Sequence, residues 1–277
     1  MRNGEAILRV EFHIRFWSSF ILASSILTAC SSQQVHPSST PVPTQEMIAP
    51  SPESSSDPSA APTNNSGSSK ELIASIPKHK IFLYGEENGV TLRIGDEAHE
   101  LDWMYMTPTG VLPRLQVEDY DGDGRQELSV ILYIGSGTGI SVEELHMINI
   151  DPADPEYFQD HVFKNYNAQL DEAVQFKTIQ QNDVLFGQIS IDSTSASVSL
   201  KDYQSPEFGK VGDHLVFGNI VRFEHENKQL KAQFGAEIIL EKSAIPQSIG
   251  HIDAHASYKD GKFALSHFAF QKNPEAP

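Results

Sequence analysis

The chain has 277 residues, with 37 Asp and Glu against 20 Lys and Arg, giving a formal net charge of −17. That sign argues against a nucleic-acid partner, because phosphate contacts need clustered Lys and Arg, and it equally disfavours anionic lipid surfaces. With a single cysteine, no internal disulfide can form.

Residues 16–29, FWSSFILASSILTA, are apolar and small and follow a start carrying Arg2, Arg9 and Arg15. They are too short for a permanent membrane span and have the character of the hydrophobic part of a secretory signal. The segment closes on Leu27-Thr28-Ala29-Cys30, which resembles the bacterial lipobox. The resemblance implies removal of residues 1–29 as a signal peptide and attachment of a diacylglyceryl group to Cys30. Two or three acyl chains give lasting attachment where one gives reversible binding. The expected location is the extracytoplasmic face of the cell membrane, with the lipid anchor as the membrane contact. Residues 31–69 hold 12 Ser, 7 Pro and 3 Thr and almost no large apolar side chains, so residues 30–69 read as the lipidated cysteine and a disordered tether. Treated as a random coil, the tether holds the folded part on the order of 35 Å from the lipid.

Residues 70–277 are written mostly in strand chemistry and form the expected β-rich ectodomain. Residues 80–84 (KIFLY) and 90–94 (VTLRI) flank EENG, a strong hairpin signal. Residues 112–117 lead into an acidic loop, and 128–134 (LSVILYI) leave it as an apolar run that reads as a central strand with both faces buried. A strand is expected at 142–150. The three- and four-residue spacing of Phe158, Val162, Phe163, Tyr166 and Leu170 predicts a helix within 157–173. Strands follow at 174–179, 184–191 and 196–200, then at 215–224, 229–240, 251–258 and 262–270, with turns at QQND, Glu226-Asn227-Lys228 and Asp260-Gly261. Ten or eleven strands against one or two short helices predict a mainly β fold with antiparallel sheets, either propeller-like or sandwich-like.

The acidic loop is EDYDGDGRQEL, residues 118–128. Three aspartates two residues apart repel one another unless a cation sits among them. With Asp119 as position 1 of a calcium loop, Asp121 and Asp123 fall at positions 3 and 5 and Gly124 at the sharp turn of position 6. Arg125 takes position 7, where a backbone carbonyl suffices, and Glu127 takes position 9. Position 12 is Val130 rather than a bidentate glutamate, so the pattern is a calcium loop entering a strand and not a helix-loop-helix site. The alternative is a solvated acidic turn. Calcium here has a structural task, the fixing of strand entry, in preference to a chemical one.

The pattern D-x-D-G-D-G-x-x-E-L running into an apolar strand resembles the calcium loops of FG-GAP and VCBS-type repeats. There the loop joins two strands of a propeller blade or related sheet. The resemblance implies ligands at Asp119, Asp121, Asp123 and Glu127, with the backbone carbonyl of Arg125. It covers residues 112–150, and only one such loop is present where propellers carry several. Lipobox, Ser/Pro tether and single loop together resemble uncharacterised surface lipoproteins of spore-forming and related Gram-positive bacteria.

Three further stretches invite comparison with functional motifs. Gly135-Ser136-Gly137-Thr138-Gly139 lacks the lysine of a phosphate-binding loop and the spacing of a dinucleotide loop or nucleophile elbow, and reads as a tight strand connection that can border a groove. His251, Asp253 and His255 (HIDAH) share one strand face. The two imidazoles lie ~13 Å apart on an extended strand, too far for one metal, which favours a polar sheet face. Trp103 and Tyr105 in DWMYM suit core packing better than a glycan platform. The expected function is a non-enzymatic, calcium-stabilised surface module that binds cell-wall polymer or a surface protein, or maintains the envelope. An extracellular hydrolase and the ligand-binding lipoprotein of a transporter are the alternatives.

Overall fold

The computed structural model describes residues 70–106 and 111–274. The expected signal peptide, Cys30 and the tether lie outside the described residues. The described chain is mainly β, with sixteen strands and one α-helix.

The first four strands, β1 (Glu71–Ile76), β2 (Ile81–Glu86), β3 (Gly89–Ile94) and β4 (Glu97–Leu101), form an antiparallel meander. A nine-stranded sheet contains β5 (Arg114–Glu118), β6 (Glu127–Gly137), β7 (Ile140–Asn149) and the short β8 (Asp160–Val162), which pairs with β7. The helix α1 (Tyr166–Ala173) leads into a three-stranded sheet of β9 (Val174–Gln181), β10 (Val184–Ile191) and β11 (Thr194–Ser199). The chain then returns to the large sheet through β12 (Val211–Val216), β13 (Ile220–Glu226), β14 (Gln229–Leu240), β15 (Gln247–Lys259) and β16 (Lys262–Lys272). The main path of that sheet is β16-β15-β14-β13-β7-β6-β5. The sheets close into no barrel, and of the two forms left open by the sequence, the sandwich is the one built.

Two apolar cores lie on opposite faces of β6 and β7. Leu128, Val130 and Leu132 of β6 and Ile148 of β7 pack with Ile81, Leu83 and Leu92 of the four-stranded sheet. Ile131, Leu145 and Met147 point the other way, joining Phe163, Leu170, Val221, Phe223 and Phe234. This is why LSVILYI is apolar without alternation: each face of the strand is buried, and each such side chain contributes roughly 1.5–3 kcal/mol.

The large sheet cannot be flat. β13 joins β7 in parallel only over Ile220↔Ser141 and Val221↔Val142. In a flat sheet, β5 would lie three strand spacings, about 14 Å, from β13. Yet Arg114 of β5 donates from Nη2 to the carbonyl of Phe223 at 2.7 Å, and to Glu143 Oε2 of β7 at 2.9 Å. Glu143 Oε2 also accepts the N–H of Phe223 at 2.7 Å. The sheet therefore folds over at the β7–β13 junction, and an Arg–Glu pair occupies the backbone edge that a neighbouring strand would otherwise fill.

Three expectations are corrected. The helix expected within 157–173 exists only over Tyr166–Ala173. Phe158 takes a positive φ of 61°, and Asp160–Val162 pairs with β7 instead. Phe158 packs against one core and Phe163 lies in the other, so their spacing marks a crossing between faces rather than a helical stripe. The single strand expected over 215–224 breaks at Gly218, φ 116°, into β12 and β13, both paired with β14. Strands β1 and β4 were not anticipated, because ELIASI and EAHEL lack clean alternation.

Replacing Glu143 with Ala is expected to leave Phe223 N–H and Arg114 without their shared acceptor, at a cost of about 2 kcal/mol in urea-induced unfolding. Glu143→Gln keeps an acceptor oxygen and should cost clearly less.

Candidate metal centre

β5 and β6 pair antiparallel up to Glu118↔Glu127, and residues 119–126 form the connection between them. Aspartate side chains wind this loop locally. Asp119 Oδ1 accepts the N–H of Gly122 at 2.8 Å, Asp121 Oδ1 that of Asp123 at 2.9 Å, and Asp123 Oδ1 that of Arg125 at 2.7 Å. Such side-chain-to-backbone bonds are what Asp offers a turn. Gly122 and Gly124 have φ of 79° and 89° with open space where a Cβ would stand, so glycine serves conformation there and not clearance.

The winding brings one carboxylate oxygen each from Asp119, Asp121 and Glu127 within 4.8 Å of one another. Two oxygens held by one calcium ion at ~2.3–2.6 Å are at most ~5.2 Å apart, so the spacing fits such an ion. Without a cation, each pair of charges at this distance repels by roughly 3 kcal/mol at an effective dielectric constant of about 20. Glu127 responds to this setting. It is 3% exposed and accepts the N–H of Tyr120 at 2.7 Å. Burial, with the charges of Asp121 and Asp123, pushes its carboxyl up to about 7.

Asp123 stands apart from that trio. Its carboxylate pairs with the Arg125 guanidinium, whose Nε also holds Asp154 Oδ2 at 2.9 Å. Arg125, expected to matter only through its carbonyl, is thus also a fixed internal cation. It ties the loop to the turn after β7, where the Asp154 side chain is 8% exposed and accepts the N–H of Glu156 at 2.7 Å. Nothing in the local spacing of residues 118–128 signals Asp154, because the contact depends on how the β6–β7 hairpin returns.

Two residues along β6, Ser129 Oγ lies 2.9 Å from Nε2 of His225 in β13. Burial, and then the charge of Arg114, push His225 down to about 4. It is a neutral histidine filling the fold-over, and a lone histidine in EHENK gave no signal of it.

The other motifs do not meet at this site. The GSGTG stretch is the tip of the β6–β7 hairpin, turning at Thr138-Gly139 between Gly137 and Ile140, as the tight connection expected. His251, Asp253 and His255 share the half-buried face of β15. The irregularity opposite them puts the extra residue in β16, where His267 has φ 56°, so β15 gains no bulge to bring its histidines together. Asp253 and His255 line a cavity of about 810 Å³ with Arg114, Glu143, Arg222 and Lys231 among its other walls. Trp103 lies in the core, as expected, while Met104 is exposed.

Comparison with known proteins finds no matching protein-family model, no matching curated protein and no matching solved structure.

His225 sets a pH dependence. Its folded value lies below the ordinary 6.5, so the unfolded chain takes up the proton first. The stability it contributes is full above pH 6.5 and is lost as pH falls through about 4. Thermal midpoints measured from pH 7 to pH 4 should fall less steeply in His225→Gln than in the parent.

Proposed function

We propose that the chain is a membrane-anchored extracytoplasmic lipoprotein whose β sandwich is fastened by calcium at residues 119–127, and which acts as a non-enzymatic binding or envelope module. The observation that carries this reading is the convergence of Asp119, Asp121 and Glu127 within 4.8 Å at the joint of two core strands. These three carboxylates would hold the ion, with the Arg125 carbonyl at the position the loop pattern assigns to it. Asp123 would join by turning from the Arg125 guanidinium. Calcium supplies charge neutralisation, and the protein supplies the preformed winding.

The fold class supports a module over a transporter's binding lipoprotein, which needs two α/β lobes. Support for a non-enzymatic role over a hydrolase comes from the large cavity, where Glu143 is committed to Arg114 and Phe223, and Asp253 to Gln233 at 3.1 Å. The mixture of Arg222, Lys231, Glu224 and His255 around an alanine floor suits a polar partner such as a cell-wall polymer or a surface protein.

In detergent, the full-length protein should melt higher with calcium than with chelator. The gain is about 2.7 kcal/mol when free calcium is a hundredfold above its dissociation constant. Asp121→Ala should remove the shift, and equal midpoints in the parent would count against calcium. The anchor is tested separately: Cys30→Ser should move the protein from the membrane fraction to the medium, and retention in the membrane would contradict lipidation.

A further inference from the structure

His146 of β7 is buried, its side chain 2% exposed, with a carboxylate on each ring nitrogen. Nδ1 is 3.0 Å from both oxygens of Asp160 in β8, and Nε2 is 3.0 Å from Glu144 Oε1. The ring packs on the indole of Trp103 at 4.2 Å between centroids, and Trp103 Nε1 donates to Asp160 Oδ2 at 2.9 Å. A neutral imidazole has one N–H and one lone pair, so it satisfies one carboxylate and turns a lone pair on the other. The doubly protonated ring satisfies both.

We propose that His146, Asp160, Glu144 and Trp103 form a proton-operated clamp, closed while the imidazole carries both protons and loosened once one is released to solvent. The pieces it fastens are two short segments between larger elements. β8 pairs with β7 over three residues only, and Trp103 sits in the segment after the four-stranded sheet. Asp160 is the shared acceptor that ties these two pieces to β7.

Every group facing the ring favours the charged form except burial itself. Burial pushes His146 down, but the hydrogen bonds and charges of Asp160 and Glu144 outweigh it and raise the ring above 6.5. Of the neighbouring elements, β6 presents Val130 opposite His146, and the segment after β4 presents neutral Trp103. Lys164, beyond β8, helps to lower Glu144, whose charge in turn raises Tyr166 in α1. A folded value above the unfolded one means that the clamp's stabilisation is fully present below pH 6.5 and is lost as pH rises through the folded value. The clamp is independent of any cation at residues 119–127.

The chain has two tryptophans, and Trp17 lies in the segment that the lipobox reading removes, so the processed protein, or unprocessed protein carrying Trp17→Phe, reports on Trp103 alone. Its emission should follow one transition with a midpoint above pH 6.5, and acrylamide quenching should rise above that midpoint. His146→Gln should abolish the transition. Glu144→Gln, altering a partly exposed side chain, should lower the midpoint by roughly one unit. Flat emission from pH 5 to 10, a transition that survives His146→Gln, or unchanged quenching across the midpoint would overturn the clamp. Should His146→Gln not fold, Glu144→Gln decides: an unmoved midpoint overturns it.

Discussion

The architecture depends on how one strand leaves another. β13 runs beside β7 for two residues and then departs, which exposes the N–H and C=O of Phe223 at a buried edge. An orphaned buried peptide group costs on the order of 1–3 kcal/mol, so the departure needs substitutes. Glu143 accepts the N–H and Arg114 donates to the carbonyl, and the two are themselves paired at 2.9 Å. A guanidinium and a carboxylate thereby do together what the N–H and C=O groups of a neighbouring strand would do. This frees the sheet to fold over and to place Phe223 and Phe234 against Ile131, Leu145 and Met147 in one core.

The acidic loop acts on the same framework. Arg114 opens β5, the loop closes it, and Glu127 opens β6, so the register of one strand pair positions both the edge-filling arginine and the carboxylate cluster. A cation among Asp119, Asp121 and Glu127 would hold that register from its far end. Arg125 reinforces it already, reaching from the loop to Asp154 on the return of the β6–β7 hairpin. Positive charge is thus placed at both ends of β5 in a chain with a large acidic excess. At one end Arg114 offsets the buried Glu143, and at the other Arg125 offsets Asp123 and Asp154.

What the sequence revealed depends on the range of the interactions involved. The turns at Asn182-Asp183, Asn227-Lys228 and Asp260-Gly261 were readable because positive φ is met by local residue type. The two-sided burial of LSVILYI and the carboxylate spacing of the loop were readable because both repeat along a few residues. Arg114, Glu143, Asp154 and His225 were not, since each acquires its meaning from a partner 29 to 109 residues away, as with Arg114 and its two acceptors. The misjudged helix shows the converse. Phe158 and Phe163 suited helical periodicity, and only the position of β7 between two cores turns their spacing into a strand that serves both.

Buried His146 and half-buried His225 show how little residue type decides by itself. His225 faces a guanidinium and a hydroxyl and is driven neutral; His146 faces two carboxylates and is driven cationic. Their contributions to stability run in opposite directions, because His225 penalises the fold as pH drops below 6.5 and His146 withdraws support as pH climbs through its raised value. Each sits where a second layer meets the central strands, His225 at the fold-over and His146 beneath the Trp103 segment. The two titrations act at separate seams, so acid loosens the one held by His225 and alkali the one held by His146.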